Sequence, residues 1–358
     1  MKLIRYIFLF ISATVAAPLQ LHGQQQFFVN TDTIDIGDVS IVSRSVNGAK
    51  GYRITSLTEA MLSDFKGSSL SELLEKSSTL LVKNYGSGGL ATSSFRGMGA
   101  SHTRVFWAGI PVNPPASGQV DFSLVPVTFS GTVEIYHGAS PTGDGSGGPG
   151  GTISLNSVPD WNSGTSLFFR QGAGSFGYLS DDLSIITGSG LWQLFTNSYI
   201  RRADNDFTYT DNVSSSVNET ETRTNSSFIM KGISQELFLK KGNSIISGRY
   251  WLNFSDRELP GPVISGENPG EKQKDKQLRV TASVRNYSTP VILDFRGAYM
   301  SDYLEYINPQ AGIESNTRSS TLYFFGSGRF NVSSRSYLDI SFSEKLSAVN
   351  SENHDGKN

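Results

Sequence analysis

Apolar and polar residues alternate along most of the chain from about residue 165 to residue 346. Within residues 278–284 and again within residues 338–342, apolar side chains stand at every second position with polar ones between them. Successive side chains of a β-strand point to opposite faces of the sheet. The pattern therefore predicts about nine strands by residue 346, each with one apolar and one polar face.

The lengths of the connections distinguish two architectures that share this pattern, a soluble sandwich and a transmembrane barrel. Short connections are predicted at residues 188–190, 241–243, 287–289 and 333–335, and long polar ones at residues 203–226, 255–273 and 302–318. Outer-membrane barrels alternate short periplasmic turns with long extracellular loops. The sequence therefore favours an antiparallel transmembrane β-barrel for residues 161–358, over a sandwich with one solvated face.

Residues 44–160 carry a different pattern, in which short helices and strands follow one another. Residues 69–76 place three leucines on one helical face behind a serine that suits capping, which predicts a short amphipathic helix. β-branched and aromatic residues predict strands over residues 103–108 and 132–136, with a turn at residues 109–111. We expect a small α+β domain in front of the barrel.

The N-terminus follows the order of a secretory signal, with Lys2 and Arg5, then an apolar run over residues 6–17, then polar residues. A membrane-spanning helix needs about 20 apolar residues, so this run is too short to cross a bilayer as a helix. We expect residues 1–23 to be a cleaved signal peptide that exports the chain, with an uncleaved anchor as the alternative. Residues 24–43 then form a polar periplasmic tail.

Composition removes several function classes. The chain has 358 residues, no cysteine and a formal net charge of -2, which excludes disulfides, zinc-thiolate sites and thiol catalysis and implies no nucleic-acid partner. The four histidines show no metal-ligand spacing, and the glycine-rich residues 143–151 lack the Lys-Ser/Thr pair of a phosphate-binding loop. We therefore predict no catalytic residues and no enzyme activity.

Four segments of the N-terminal part follow one another in a fixed order: SSFRGMGASHTRVFWAGIPVN at residues 93–113, DFSLVPV at 121–127, VEIYHGASP at 133–141 and GSGGPGGTISL at 145–155. In this order they resemble the plug domain of TonB-dependent outer-membrane receptors, and within them the cobalamin-receptor-like branch. The resemblance implies an α+β plug domain at residues 44–160, followed by an antiparallel transmembrane β-barrel of about 22 strands. With about nine strands counted, the sequence is expected to be the front part of a longer chain.

Receptors of this family bind a scarce, large solute and import it across the bacterial outer membrane with energy from the TonB complex. The resemblance favours a cobalamin-like corrinoid as the solute. Siderophore and oligosaccharide receptors share the architecture and remain alternatives, and a surface adhesion or polymer-docking barrel without transport is the rival function. The expected partners are TonB, a small-molecule nutrient and outer-membrane lipid.

The resemblance also implies a TonB box, an exposed strand that pairs by its edge with the C-terminal domain of TonB. The best match is a six-residue segment of the periplasmic tail: Asp38, Val39, Ser40, Ile41, Val42 and Ser43. An ordinary first strand of the plug is the alternative. Arg96, in the Phe-Arg-Gly triplet, is expected to act as a latch between plug and barrel, because a guanidinium in a water-poor lumen needs carboxylate partners. A surface arginine is the alternative for Arg96.

Solute contacts are expected from amide and hydroxyl groups of the outward plug loops, at residues 85–90 and 113–119, and of the first long barrel loop. The candidates are Tyr85, Ser87, Asn113, Ser117, Gln119 and Tyr209. The long loop also concentrates the carboxylates of Asp204, Asp206 and Asp211, and calcium prefers oxygen ligands. Because cobalamin receptors order their binding loops with calcium, the resemblance makes these three the candidate metal ligands, with a solvated acidic loop as the alternative. No other cofactor is expected.

Overall fold

The computed structural model describes residues 53–138, 149–162, 164–211, 219–261, 270–288, 290–333 and 336–355. All of them belong to one unit, which spans Ile41–Asn358. The expected signal peptide (residues 1–23) and TonB box (residues 38–43) lie outside the described residues. Both therefore stay predictions.

The N-terminal part is an α+β domain, which we call the plug. In chain order its elements are β1 (Ile54–Leu57), α1 (Glu59–Phe65), α2 (Leu70–Ser77), β2 (Leu81–Asn84), β3 (Ala91–Ser94), β4 (Thr103–Trp107), β5 (Ile110–Pro111), β6 (Thr132–Tyr136) and β7 (Gly151–Asn156). Five strands form one sheet in the order β1-β6-β7-β4-β5, and β2 pairs with β3 in a separate hairpin. Within the larger sheet β4 and β7 are parallel, and the other pairs are antiparallel. The strand predicted over residues 132–136 is confirmed, and the one predicted over residues 103–108 is confirmed as far as Trp107.

Helix α2 confirms the predicted amphipathic helix. Leu70, Leu73 and Leu74 face the plug core and are at most 1% exposed. At the start of the helix, the Ser69 hydroxyl accepts a hydrogen bond from the Glu72 amide at 3.4 Å, which satisfies one of the N–H groups of the first turn. Within the described ranges, no helix has the length and apolar content needed to span a bilayer.

The turn predicted at residues 109–111 is displaced in the structure. Ala108 and Gly109 form the reversal, with φ angles of 54° and 76°. Ile110–Pro111 continues as strand β5, paired with β4, and Ile110 is 1% exposed. The reversal falls at Gly109 because a positive φ costs little at glycine, and the following isoleucine is then free to enter the core.

The C-terminal part is a single antiparallel sheet of nine strands, which we call the wall. The alternation of apolar and polar residues predicts this number of strands. In chain order the elements are β8 (Ser166–Ala173), β9 (Leu179–Gly188), β10 (Trp192–Ala203), the loop hairpin β11 (Thr208–Asp211) and β12 (Glu219–Thr222), β13 (Phe228–Lys241), β14 (Ser244–Leu259), β15 (Glu271–Asn286), β16 (Val291–Asn308), β17 (Ile313–Asn331) and β18 (Tyr337–Asp355). Wall strands pair in chain order, so β8 and β18 stand at the edges of the described sheet.

Two of the three predicted long connections are shorter in the structure. The connection expected over residues 255–273 spans only residues 260–270, and the one expected over residues 302–318 is a tight turn at residues 309–312. The strands are longer than predicted because the backbone ladder continues beyond the apolar rows, where cross-strand charged pairs take over. The strands predicted from the sequence are shorter because they end where the apolar alternation ends.

The wall has an apolar outer face and a mixed inner face. Outward apolar side chains remain exposed on successive strands, including Ile229, Val280, Phe295, Leu322 and Ile340. Many buried inward side chains are polar or aromatic, including Asn197, Tyr199, Glu236, Trp251, Arg257 and Asp275, and methionines such as Met230 and Met300 lie among them. A sheet with a continuous apolar outer face and a polar interior is typical of outer-membrane barrels. The plug lies against the inner face.

Candidate functional site

The plug and the wall meet through a cluster centred on Arg257, on the inner face of β14. Its Nη1 donates to Asp121 Oδ2 and its Nη2 donates to Asp275 Oδ2, each at 2.7 Å. Asp121 belongs to the plug and Asp275 to β15, so one guanidinium bridges the two domains. The Arg257 side chain is 2% exposed, and direct pairing is what makes such buried charges tolerable.

Asp121 organises the plug side of this cluster. Its Oδ1 accepts hydrogen bonds from the Ala91 and Ser123 amides at 3.0 Å and from the Ser123 hydroxyl at 2.7 Å, while its other oxygen meets Arg257. Arg257 Nη1 also reaches the Gly88 carbonyl at 3.4 Å. Gly88 belongs to the predicted outward loop at residues 85–90. The same guanidinium therefore contacts the outward loop and a buried plug carboxylate.

A second polar cluster joins the plug to β9 and β10. Asp182 Oδ1 accepts the Thr128 hydroxyl at 2.6 Å and lies 3.5 Å from Arg201 Nη2, which donates to the Ser68 carbonyl at 3.0 Å. In the part of the chain that the structure describes, Asp182 Oδ2 and Arg201 Nε have no hydrogen-bond partner. This second ion pair is longer and less fully bonded than the Arg257 cluster.

Aromatic rings of the plug and the wall pack between the two clusters. Trp107 and Phe129 of the plug meet Trp251 of the wall edge to face, with ring centroids 5.6 and 5.7 Å apart. Beside them, Asn253 Nδ2 donates to the Leu124 carbonyl at 2.6 Å. Edge-to-face pairs are favourable beyond the area they bury, so the contact between plug and wall combines rings with hydrogen bonds.

Two further wall arginines donate to plug carbonyl groups. Arg170 Nη1 reaches the Asp64 carbonyl at 3.0 Å, and Arg296 Nη1 reaches the Gly109 carbonyl at 3.1 Å. Asp294 holds the Arg296 guanidinium at 2.6 Å. These contacts depend on the plug backbone rather than on plug side chains, so plug sequence changes at those turns preserve them when the turn geometry is kept.

The segment that leads from the plug into β8 is bound to the wall at two points. Gln193 Nε2 donates to the Asp160 carbonyl at 2.9 Å, and the Asp160 amide donates to Gln193 Oε1 at 3.0 Å. The Ser157 hydroxyl donates to Glu236 Oε1 at 2.7 Å, and Arg249 holds the other carboxylate oxygen at 2.9 Å. The C-terminal end of the plug is thereby anchored to β10 and β13.

The predicted outward loop at residues 85–90 lies beside the wall strand ends that carry the long connections. Tyr85 is 73% exposed and Ser87 is exposed as well. The Ser87 carbonyl accepts a hydrogen bond from Asn205 Nδ2 at 3.1 Å. The loop is thus placed at the outer end of the wall with two of the predicted solute-binding side chains on its surface.

Asn113, also predicted to contact solute, is placed differently. It is 3% exposed. Its Oδ1 accepts the Val105 amide, and its Nδ2 donates to the Thr103 and Gly118 carbonyls, each at 2.9 Å. These three bonds use both donors of the amide and tie the loop at residues 113–118 to β4. The structure gives Asn113 a role in holding this loop.

The remaining predicted solute contacts lie on two separate segments. Ser117 is exposed and donates its hydroxyl to the carbonyl of half-buried Gln119 at 3.1 Å. Tyr209, on β11, donates its hydroxyl to Glu221 Oε2 at 2.8 Å across the loop hairpin. Their contact with a solute stays a prediction.

The candidate calcium ligands lie at the start and end of the long loop's first strand. Asp204 and Asp206 are exposed, and the Asp204 amide donates to the Phe176 carbonyl at 3.0 Å. Asp211 ends β11, and its side chain lies outside what the structure describes. Over the described ranges, no group of three or more His, Cys, Asp and Glu side chains could hold a metal ion. The calcium assignment stays a prediction.

Arg96, the expected latch, lies at the plug surface with a φ of 51°. Its Nη2 donates to the His137 carbonyl at 3.4 Å, a contact inside the plug. Cations from both sides join plug and wall: Lys66 of the plug lies 4.7 Å from the centroid of the Phe168 ring of β8, and Arg257 of the wall pairs with both Asp121 and Asp275. The latch role of Arg96 stays a prediction, and the ion pair between plug and wall that such a latch would need is made by Arg257 and Asp121.

His137 closes the edge of the plug sheet where the chain enters β1. Its amide donates to the Arg53 carbonyl at 3.0 Å, and its Nε2 lies 3.1 Å from Thr55 Oγ1. Its ring meets Phe95 edge to face at 6.1 Å. Burial, followed by the nearby charges of Arg53 and Arg96, lowers the pKa of the His137 imidazole.

A cavity of about 460 Å³ lies between the plug sheet and the inner wall. Its lining includes three wall arginines, Arg249, Arg285 and Arg296, and the carboxylates of Glu134 and Asp294. The lining is thus charged and cationic on balance. Such a space suits water and polar solutes better than an apolar ligand.

Arg96 was the contact between plug and barrel expected from the sequence, whereas Arg257, Asp121 and Asp275 were not expected there. A signal for Arg257 was present, because a charged residue in the polar phase of a barrel strand is expected to face the lumen. Asp121 opens the DFSLVPV segment, to which no role was assigned. Their pairing could not be inferred because 136 positions separate Asp121 from Arg257 along the chain.

The α+β domain matches a known family at the level of sequence. Residues 49–152 match the family model of the TonB-dependent receptor plug domain. No curated protein sequence matches the chain significantly. The match covers the plug elements from β1 to the start of β7, so this part of the chain is similar to the plug domain of TonB-dependent receptors.

Solved structures share the arrangement of plug and wall. The FrpB iron transporter from Neisseria meningitidis has a TM-score of 0.67 and 13% identity, over 83% of this chain and 49% of that one. The copper transporter OprC has a TM-score of 0.62 and 12% identity, over 83% and 46%. The siderophore receptor PiuA from Acinetobacter baumannii has a TM-score of 0.58 and 13% identity, also over 83% and 46%. The chain spans less than half the length of each, and at these identities the likeness shows the fold.

Proposed function

We propose that the intact protein binds a scarce solute at the outer face of the plug and imports it across the bacterial outer membrane with energy from the TonB complex. The observation that carries this proposal is the position of Arg257, which contacts the outward loop at Gly88 and the buried carboxylate of Asp121. A solute that moves the loop would change the surroundings of the main ion pair between plug and wall. The plug-domain match supports the TonB-dependent class.

For the solute, we propose a metal-containing compound of the large, scarce class expected from the sequence. Structures of similar fold include a siderophore receptor, a copper transporter and an iron transporter. A cobalamin-like corrinoid, favoured by the plug segments, belongs to this class, and a ferric siderophore fits it equally well. Tyr85, Ser87 and Tyr209 would supply polar contacts, with calcium at Asp204, Asp206 and Asp211 ordering the long loop.

The remaining parts of the proposal concern export and coupling. Residues 1–23 would direct the chain across the inner membrane and then be removed. Residues 38–43 would pair by their strand edge with the C-terminal domain of TonB, so that pulling on the tail acts on the plug. The proposal includes no catalytic step.

Deletion of residues 38–43 from the full-length gene tests the coupling. We expect growth-supporting uptake to be lost while binding of the solute to the cell surface is retained, because backbone pairing with TonB is removed and the plug is untouched. Deletion of residues 28–33, six residues of the same tail, is the matched control and should leave uptake intact. Normal uptake by the 38–43 deletion would reject TonB-dependent transport.

Calorimetry of the purified full-length protein tests the solute class. Cyanocobalamin, a set of ferric siderophores and a set of oligosaccharides are titrated separately. We expect tight binding from one metal-containing compound and none from the sugars. Tight binding of an oligosaccharide alone would reject both the corrinoid and the siderophore assignment.

A further inference from the structure

Three outward side chains form a cluster of two cations around one ring on the outer face of the wall. Lys276 on β15, Tyr303 on β16 and Arg318 on β17 are direct cross-strand partners. Lys276 Nζ lies 5.3 Å from the centroid of the Tyr303 ring, and Arg318 Cζ lies 5.4 Å from it. All three share the strand phase of the exposed apolar residues Val280 and Phe295, so they face the same surroundings.

Neither cation of this cluster forms an ion pair within the described residues, although the Glu305 carboxylate acts on Lys276 from a longer distance. The neighbouring Lys274 is paired with Glu305 at 2.9 Å, and Glu305 also accepts the Tyr303 hydroxyl at 2.9 Å. Over the described parts of the chain, no carboxylate lies within ion-pair distance of Lys276 or Arg318. Two positive charges on one ring repel each other, and an anion placed between them would be attracted by both.

A shallow cavity of about 340 Å³ lies against the cluster. Leu252, Phe254 and Leu278 form its apolar side, with Ser301 beside them, and Phe254 is 40% exposed. Phe254 is the cross-strand partner of Lys276. Leu252, Leu278 and Ser301 are cross-strand partners in the next outward row, on the side of the cluster where the outward positions become apolar. The cluster therefore marks the boundary between the apolar band and the charged rows of the outer face.

We propose that Lys276, Tyr303 and Arg318 form a binding site for a membrane lipid with a phosphate monoester headgroup, whose acyl chain lies along Leu252 and Phe254. A phosphate monoester carries close to two negative charges and three acceptor oxygens, which suits two cations of which one is a planar guanidinium. Basic side chains at a membrane boundary are well placed to meet lipid phosphates. This inference depends on the proposed placement of the wall in the membrane and is independent of the proposed transport.

Native mass spectrometry of the intact protein in detergent tests the site, with dioleoyl phosphatidic acid and dioleoyl phosphatidylcholine as probes that differ only in the headgroup. We expect phosphatidic acid to be retained preferentially. At about 1 kcal/mol for each cation near a lipid surface, Lys276→Gln and Arg318→Gln should each weaken binding about fivefold and the double variant about thirtyfold. Arg202→Gln, which removes an exposed outward cation on β10, is the matched control and should change nothing.

Three outcomes would overturn the proposal. These are unchanged retention of phosphatidic acid by the double variant, an equal loss in Arg202→Gln, and displacement of the lipid by inorganic phosphate at equal concentration. An equal loss in Arg202→Gln would indicate general charge attraction, and displacement by inorganic phosphate would indicate a site for free anions.

Heat-modifiable mobility on electrophoresis checks that each variant is folded. If the double variant does not fold, Tyr303→Leu is tested instead, because it keeps both cations and removes the ring. Unchanged retention of the lipid by Tyr303→Leu would also reject the site. A protein that binds the lipid and imports nothing would reject the transport proposal alone.

Discussion

The plug sheet and the wall sheet are both built of β-strands, but they bury opposite kinds of side chain. In the plug, Phe106, Ile135 and Ile153 are fully buried. In the wall, Arg257 is 1% exposed on the inner face, while Phe295 on the outer face is 49% exposed. The plug keeps its apolar groups from water by packing on itself, whereas the exposed apolar groups of the wall would be kept from water by lipid in the membrane placement proposed above.

The difference shows why polar contacts concentrate where the two sheets meet. Charged side chains on the inner face of the wall pair with one another, as Arg249 does with Glu236, and the plug supplies further partners to some of them. Asp121 and Thr128 of the plug pair with Arg257 and Asp182 of the wall. A contact made of ion pairs and hydrogen bonds can exchange partners with water, whereas an apolar core cannot. This property suits the movement that the proposed transport requires.

The largest expected effect comes from breaking the contact between the sheets. Arg257→Ala leaves the carboxylates of Asp121 and Asp275 unpaired, and we expect a loss of about 3–5 kcal/mol in the free energy of unfolding. Urea unfolding of the intact protein in detergent measures it. Arg329→Ala is the control, because its pair with Asp339 is equally short at 2.7 Å but partly exposed, and should cost at most about 1 kcal/mol. Equal losses would show that burial does not set the strength of these pairs.

The plug core should respond next most strongly. Leu73→Ala creates a cavity at a fully buried position of α2, and we expect a loss of about 2–5 kcal/mol in the free energy of unfolding. Leu81→Ala removes the same atoms at a position 60% exposed on β2 and should cost about 0.5 kcal/mol or less. The same denaturant titration compares them. Similar costs at both positions would contradict the burial of α2 against the plug sheet.

The outer face of the wall should be sensitive to charge. Leu322→Arg places a cation in the apolar band, and we expect it to destabilise the protein in lipid vesicles by about 2–4 kcal/mol. Ala311→Arg places the same cation in the exposed turn at residues 309–312 and should stay within about 0.5 kcal/mol. Unfolding from vesicles of both variants gives the comparison. A tolerated arginine at residue 322 would show that this face does not contact lipid.

The smallest expected effect is a pH dependence at the edge of the plug sheet. Because the pKa of His137 is lowered in the fold, protonation is harder in the folded than in the unfolded chain. Stability contributed by the neutral ring is therefore complete above the ordinary histidine pKa, and is lost as pH falls from about 6.5 toward the lowered value.

Hydrogen exchange of the amides of Ile54–Leu57 measures this effect. We expect it to be faster, after correction for intrinsic rates, at about pH 5.5 than at about pH 7.5. His137→Gln cannot titrate and should remove the difference. An unchanged pH dependence in the variant would assign it to another group.

The sequence determined those features that depend on neighbouring positions along the chain. Period-two alternation sets the nine strands and their two faces, because each strand side chain takes its side from its position alone. Leucine spacing and the serine cap determine α2 for the same local reason. The order of the plug segments was sufficient to indicate the plug domain, which the family match supports.

Only the tertiary structure decided where strands end and which charges pair. The backbone ladder extends β16 and β17 past their apolar rows, since a hydrogen bond between strands does not depend on side-chain polarity. Asn113 was placed on a solute-facing loop by its sequence, yet its amide is consumed by three bonds to the chain. Arg257 meets Asp121 and Asp275 because the plug lies against the inner wall, and a buried charge takes whichever partner the fold brings within reach.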